Sequence, residues 1–248
     1  MKGVILAAGV ASRLRPLTDS HPKCLLEVGG KAILALTLEN LIAAGIDDIV
    51  MVTGYREEQI RRFVAGKFPS LRVAFVTNAQ YESTNNSYSL WLTRRAVAGD
   101  GIMLLDSDIV FDRRILTLLT HSPEPNCLAM TAQKALGDEE IKLKLGPGGR
   151  VLRIGKDVRP AEAAGESIGI EKMSPPFMDL IYDILERTII GRKTVHLFYE
   201  AAFQDAIDGG AVMTALDVGT LSCIEIDTPG DLDAARGMRA TAGAHSTP

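Results

Sequence analysis

Residues 3–15 read GVILAAGVASRLR. Gly3 to Ala8 is a short, continuously apolar run, which predicts a strand buried on both faces of a sheet. The Gly/Ala/Ser-rich segment that follows, up to Arg15, predicts a loop. Downstream, Ile33, Leu34, Leu38, Leu41 and Ile42 recur with helical period and predict a helix ending near Gly45. A β-branched strand over Ile49–Thr53, a charged amphipathic helix over Glu57–Ala65 and a strand over Val73–Thr77 come next. A helix over Ser87–Val97 and a strand over Ile102–Leu105 complete the pattern. Four strands separated by helix-length segments within 105 residues predict parallel βαβ units. Leu25–Val28 reads as a brief extra strand.

The pattern changes after a helix over Ile115–His121 and a strand over Leu128–Thr131. Ile141, Leu143 and Leu145 alternate with Lys142 and Lys144, and the turn 146–149 separates them from Val151, Leu152 and Ile154. This predicts an antiparallel pair with one wet face. A return strand over Ile168–Glu171, a helix from Pro175 or Pro176, a helix over Glu200–Ile207, strands over Val212–Val218 and Cys223–Ile226, and a closing helix over Leu232–Arg239 follow. The expected fold class is α/β: a single domain, residues 1–240, with a mostly parallel mixed central sheet flanked by helices and small β insertions. Its parts are 1–131 and 132–240, with 241–248 as a flexible tail.

Composition narrows the function classes. The 248 residues are 46% apolar and 23% charged, which is ordinary globular composition. Twenty-seven basic against 31 acidic residues give a net charge of −4, without the basic excess of a nucleic-acid binder or a polybasic membrane module. Cys24, Cys127 and Cys223 are about a hundred residues apart. They suggest neither a disulfide framework nor a zinc site, and a reducing cytoplasm is the expected location. The apolar start is short, broken by glycine and soon meets Arg13 and Arg15, so no secretion signal is expected. No stretch is long enough to span a membrane.

The loop lacks both the three-glycine dinucleotide fingerprint and a terminal Gly-Lys-Ser/Thr. Small residues still let the backbone approach a ligand, and successive amides can form an anion nest served by Arg13 and Lys23. A tight buried turn beside a surface arginine is the alternative. Residues 6–34, LAAGVASRLRPLTDSHPKCLLEVGGKAIL, resemble the N-terminal signature of the sugar-nucleotide and cytidylyl group of nucleotidyltransferases. The resemblance implies a Rossmann-like nucleotidyltransferase domain. In it the backbone around Leu6, Ala7, Ala8 and Gly9 holds the nucleotide, Arg13 grips the β,γ-phosphates and Lys23 approaches the α-phosphate.

Residues 104–109, LLDSDI, place Asp106 and Asp108 at the carboxyl end of a strand, where ligands of parallel sheets collect. A solvent-facing loop pair is the alternative. Glu225 and Asp227 share one side of the predicted strand by alternation, although Asp227 could instead cap the following helix. The resemblance implies that Asp108 and Asp227 meet across one divalent ion, with Glu225 beside it and Asp106 the weaker candidate. Mg²⁺ suits these oxygen ligands.

Residues 78–92, NAQYESTNNSYSLWL, are dense in amides and read either as a base or acceptor contact or as a capped surface loop. The segment TNNSYSL resembles small bacterial cytidylyltransferases acting on phosphocholine or 2-aminoethylphosphonate. That implies Asn78, Thr84 and Asn85 on the nucleotide side, and Asn86 and Ser89 on the acceptor side. The resemblance implies a further acceptor-binding group of Lys142, Lys156, Glu166 and Gly169, of which Lys156 matches a lysine on the acceptor's phosphate or phosphonate, although Lys142 could instead be a surface residue on the wet face of the hairpin. Glu200 and Asp217 lie in segments that resemble further pocket segments; either could neutralise an acceptor amine or simply cap an element. One Trp and five Tyr offer little for a quaternary-ammonium cage, which favours a primary ammonium.

The resemblance implies Mg²⁺-dependent transfer of CMP from CTP to a small phosphonate or phosphate, with Lys23, Arg13, Asp108 and Asp227 as the catalytic set. The expected partners are these small molecules, not nucleic acid or membrane, and a homodimer is left open. The alternatives are nucleotidyl transfer to inositol 1-phosphate or a sugar 1-phosphate, and a non-catalytic nucleotide-binding protein.

Overall fold

The computed structural model describes residues 1–132 and 136–244. The first half runs β1 (Lys2–Ala7), a small ribbon of β2 (Glu27–Val28) and β3 (Lys31–Ala32), α1 (Ile33–Ala43), β4 (Asp48–Thr53), α2 (Glu57–Lys67) and β5 (Arg72–Thr77). It continues through α3 (Asn86–Leu92), α4 (Arg94–Val97), β6 (Ile102–Asp106), β7 (Ile109–Phe111), α5 (Arg114–His121) and β8 (Cys127–Thr131). The second half adds β9 (Lys142–Leu145), β10 (Val151–Gly155), β11 (Gly165–Met173), α6 (Pro175–Glu186), α7 (Glu200–Asp208), β12 (Thr214–Asp217), β13 (Cys223–Glu225) and α8 (Pro229–Ala244). The backbone of α8 enters the segment expected as a tail, and residues 245–248 lie outside the described residues.

Strands β5, β4, β1 and β6 are parallel neighbours. Strand β11 runs antiparallel to both β6 and β8, β12 pairs parallel with β8, and the β9/β10 pair extends the sheet beside β11. The sheet is therefore α/β, mostly parallel and mixed. The strand period of two explains how one apolar run feeds two cores. Val4 and Leu6 of β1 pack with α3, α6 and α7 on one face. Ile5 and Ala7 pack with α1, α2 and α5 on the other. A smaller cluster joins Leu14 and Val28 to Val110, Ile226 and Leu232, tying α8 to the loop after β1.

Three local expectations differ from the structure. The helix expected over Ser87–Val97 is two helices that meet at Thr93. Its hydroxyl lies 2.6 Å from the Leu90 carbonyl and 2.7 Å from Tyr182 Oη, a back-bonding geometry that bends helices. The Leu25–Val28 strand is preceded by a 3₁₀ turn over Lys23–Leu25 and shortened to two residues. A register shift between Val151 and Arg153 leaves Leu152 outside, 45% exposed, although its alternation pattern predicts burial.

Candidate functional site

The carboxyl ends of β1 and β6 adjoin, with Leu6 opposite Asp106 in the ladder. Around this edge lies a cavity of about 440 Å³, large enough for a small ligand. The loop after β1 forms one wall through Leu6, Ala7, Ala8 and Gly9. Its shape is fixed from outside the cavity: the Ala8 carbonyl accepts from Tyr55 N at 3.0 Å, and the Ala11 carbonyl accepts from Thr18 Oγ1 at 2.9 Å. Ala11 takes a left-handed conformation, φ 52°, and starts the single 3₁₀ turn that carries Arg13.

Two distant acids meet because β13 pairs antiparallel with β7, with Glu225 opposite Ile109. Ile226 N then donates to the Asp108 carbonyl at 2.9 Å. The strand stops at Glu225, so Asp227 lies in the turn before α8 and not on the strand as alternation predicted. Nor does Asp227 cap that helix. Thr228 and Asp231 bond reciprocally, Thr228 N to Asp231 Oδ2 at 2.7 Å and Asp231 N to Thr228 Oγ1 at 3.3 Å, in the manner of a capping box. The Asp227 carboxylate is thereby left to face the cavity.

Lys23 Nζ donates to Asp108 Oδ2 and Asp227 Oδ1, both at 2.8 Å, and Arg13 Nη2 donates to Asp227 Oδ2 at 2.7 Å. Burial weakens the Lys23 ammonium, but the two carboxylates outweigh it and hold its pKa above the ordinary lysine value. Asp108, Glu225 and Asp227 each offer an oxygen within 4.8 Å of the others. Asp108 Oδ1 is buried without a hydrogen-bond partner. Three carboxylates, one with an orphaned oxygen, fit a hard oxygen-seeking cation. Cys24 also lines the cavity. Burial, with Asp108 assisting, pushes its thiol up to about 12, which keeps it protonated and poorly nucleophilic.

The amide-rich segment forms the opposite wall, with Asn78, Thr84, Asn85, Asn86 and Ser89 all lining the cavity. Asn78 Nδ2 bonds Thr84 Oγ1 at 3.0 Å and Ser89 Oγ at 3.1 Å. The Asn85 side chain caps α3 through Asn86 N at 2.7 Å. Asn86 Oδ1 accepts from Tyr199 N at 2.9 Å, so this wall is stitched to the start of α7.

Lys156, Glu166, Gly169 and Glu200 also line the cavity. Lys156 Nζ bonds Glu139 Oε2 at 2.9 Å and lies 5.0 Å from the centre of the Phe198 ring. Two of the expected acceptor contacts require correction. Lys142 is fully buried, and its ammonium donates to the Gly137 and Glu140 carbonyls at 2.9 and 3.1 Å. It anchors the 137–140 loop and does not line the cavity: Leu143 keeps the core side of the strand, and the loop covers Lys142 on the face predicted to be wet. Asp217 ends β12 beside β8 and borders a separate groove with Arg114, Leu118 and His121. Its Oδ1 accepts from Gly219 N at 3.0 Å, forming a local turn.

Residues outside the expected set complete the site. Tyr81, Glu139 and Phe198 line the cavity, and a buried acidic group stands behind it. The Tyr199 hydroxyl lies 3.0 Å from Asp106 Oδ2 and 3.4 Å from Glu171 Oε1, so its one proton serves one of them. Burial, then Asp108 and the neighbouring glutamates, raises Asp106 well above the carboxylate range; burial and Glu200 do the same to Glu171. Burial pushes Glu200 up to about 7, against its own backbone N–H and Lys156. Glu171 shares its strand with Glu166, Ser167 and Lys172, so no local signal in the sequence singles it out.

A sequence profile described as nucleotidyl transferase matches residues 2–136, more than half of the chain. The CMP-5'-(3-aminopropyl)phosphonate synthase of Streptomyces rubellomurinus is 29% identical over 93% of this chain. The choline-phosphate cytidylyltransferase of Streptococcus pneumoniae is 37% identical over 43% of it. The matched segments take up 37% and 45% of these relatives' own lengths. Among solved structures, the inositol-1-phosphate CTP transferase of T. maritima superposes with a TM-score of 0.82 at 21% identity, covering 96% of this chain and 94% of that one. No helix among the described residues is long and apolar enough to cross a membrane. The glycine-containing loop, the acids at the sheet edge and the profile match over the first 136 residues converge: the chain belongs to the nucleotidyl transferase family.

Proposed function

We propose that this chain transfers CMP from CTP to a small phosphonate or phosphate acceptor, 2-aminoethylphosphonate or phosphocholine, and releases pyrophosphate. The observation that carries the reading is the convergence of Lys23, Arg13, Asp108 and Asp227 beside the small-residue loop, at one end of a cavity whose other end is acidic. The names of the two relatives above, one a phosphonate synthase and one a choline-phosphate enzyme, support the acceptor class.

The chemistry asks little covalent work of the protein. An acceptor oxygen, already anionic near neutral pH, forms a bond to the α-phosphorus. The bond from that phosphorus to the bridging oxygen of pyrophosphate breaks, and the bridging oxygen keeps the electron pair. No general base is needed, so the residues contribute position and countercharge. Lys23 is the cation assigned to the α-phosphate, and Arg13 is assigned to the departing pyrophosphate. Backbone groups of Ala8 and Gly9 border the nucleotide, and Lys156 aims the acceptor. A divalent ion, Mg²⁺ by its preference for oxygen, held by Asp108 and Asp227 with Glu225 beside them, would neutralise triphosphate charge there.

A pyrophosphate-release screen tests the reading. CTP, UTP, dTTP and GTP are each paired with 2-aminoethylphosphonate, phosphocholine, inositol 1-phosphate and glucose 1-phosphate, with Mg²⁺. Release with CTP and an aminophosphonate or phosphocholine is expected. Turnover with UTP and glucose 1-phosphate but not with CTP would overturn the choice of substrates. CTP affinity without release from any pairing would identify a binding protein.

A further inference from the structure

The loop that carries Arg13 and Lys23 has little to hold it from within. Among residues 12–21 only Leu14 and Thr18 are buried, and the one regular element is the 3₁₀ turn Ser12–Leu14. Backbone carbonyls in such a segment need donors from elsewhere to fix their direction. Three residues at or just before the start of α2 supply them, and none of the three lines the cavity. Tyr55 Oη donates to the Thr18 carbonyl at 2.7 Å, with the Asp19 carbonyl at 3.1 Å. Arg56 Nη2 donates to the Asp19 carbonyl, and Gln59 Nε2 donates to the Ser20 carbonyl at 2.9 Å. Three consecutive carbonyls are thus gathered by one helix start.

The clamp is itself held. Arg56 has φ 51°, a left-handed conformation that a residue with a Cβ adopts at a cost. Its Nε donates to Tyr55 Oη at 2.9 Å, so that hydroxyl accepts from Arg56 and gives its one proton to the loop. From Thr18 the linkage runs on towards Arg13. Thr18 is 1% exposed, and its Oγ1 donates to the Ala11 carbonyl at 2.9 Å. Ala11 opens the turn that contains Arg13. Tyr55 N also donates to the Ala8 carbonyl at 3.0 Å, so one residue grips the loop on both sides of Arg13. The Arg13 side chain is 63% exposed. Packing does little to aim it, and its direction comes from the backbone of its turn.

We propose that Tyr55 is a positioning residue for the triphosphate: its hydroxyl, through Thr18 and Ala11, sets the turn that presents Arg13 to the β,γ-phosphates. The assignment deepens the functional reading above and rests on it for the position of the triphosphate, but not for the choice of base or acceptor.

The test is a calorimetric double-mutant cycle on the full chain with Mg²⁺. The titrant is the non-hydrolysable α,β-methylene analogue of CTP, and CMP is measured by its displacement of that analogue. The variants are Tyr55→Phe, Arg13→Ala and the two together. Tyr55→Phe removes one oxygen, and with it the bond to Thr18 and the one from Arg56. It should weaken the analogue about five- to tenfold, the worth of one hydrogen bond, and leave CMP, which has no β- or γ-phosphate, within about twofold of wild type. In the Arg13→Ala background, Tyr55→Phe should change nothing further, because a residue that acts through Arg13 has nothing left to act on. Thr18→Val, which cuts the same linkage at its next bond, should reproduce the pattern.

A merely structural role for the hydroxyl would weaken the analogue and CMP together. That result, unchanged affinity for the analogue in Tyr55→Phe, or a full Tyr55 effect in the Arg13→Ala background overturns the proposal. The α,β-methylene analogue of UTP and UMP are run alongside. If the wild type binds the uridine analogue instead, the choice of CTP fails, and the same cycle on that nucleotide still decides the role of Tyr55. An analogue affinity that Arg13→Ala leaves unchanged, or no binding of either analogue by the wild type, removes the phosphate assignment and the proposal together.

Discussion

Lys23 Nζ is shared between Asp108 and Asp227 at 2.8 Å, and Arg13 also pairs with Asp227 at 2.7 Å, so protein cations already engage the two carboxylates that also fit a divalent ion. Lys23→Met removes a cation from the proposed reacting phosphate and a competitor from the carboxylates. Turnover should fall by about 10²–10³-fold. Affinity for Mn²⁺ without nucleotide should rise, as measured by loss of the free-ion EPR signal. Mn²⁺ binding no tighter than wild type would mean that the ammonium does not compete for the site. Lys23 and Asp108 stand in short motifs, and the structure brings both to the cavity. Lys142 and Asp217 were misread because a residue type in a family-like segment does not say which way its side chain turns. The fully buried Lys142 ammonium is decided by the 137–140 loop that folds over it and supplies two carbonyls, a cover that alternation along the strand does not encode.

Elements place these residues, and irregularities matter more than regular spans. Strand β11 changes register between Ser167 and Glu171, as bulged strands near active sites often do. At that break Gly169 has φ 69°, and a Cβ there would lie 2.7 Å from Asp106 Oδ2 and 3.0 Å from Ile109 Cδ1. Gly169→Ala should lose about 2–4 kcal/mol of stability in urea titrations, since the left-handed conformation and the crowding both contribute. Gly148→Ala is the control: φ is 68° and nothing lies within 4 Å of the added carbon, so its loss should be about 1–2 kcal/mol. Equal losses in the two variants would show that crowding against Asp106 contributes nothing. At α8, Asp231 Oδ2 accepts from Thr228 N, Thr228 Oγ1 and Asp227 N. Asp231→Ala should destabilise the protein by about 1 kcal/mol and lower turnover by loosening Asp227; thermal melts and pyrophosphate release measure the two effects. Unchanged turnover would detach Asp227's position from the cap. The period of apolar residues revealed the parallel strands and most helices. It missed the break at Thr93 and the early end of β13, since both depend on hydrogen bonds to remote partners or on where a short ladder runs out.

At the scale of the whole molecule, the parallel half supplies a loop and acids at one sheet edge, while the mixed half brings β11 and α7 against that edge. Closing the two halves over one cavity buries Glu171 and Glu200 together with the Tyr199 hydroxyl. Burying carboxylates in this way makes stability depend on pH. Glu200 is pushed up to about 7 in the folded state by burial, against its own amide and Lys156, while an unfolded glutamate titrates near ~4.3. Between these values the folded protein holds a proton that the unfolded chain has released, so stability falls as pH rises through the window. Below it both states are protonated, and above it the full loss is reached, on the order of 3 kcal/mol for this one group. Glu200→Gln removes the titration but preserves the shape. The variant should therefore match the wild type at pH 4 and exceed it increasingly up to pH 8, as read from urea unfolding at each pH without ligands. Parallel stability curves for the two proteins would show that Glu200 ionises normally in the folded chain.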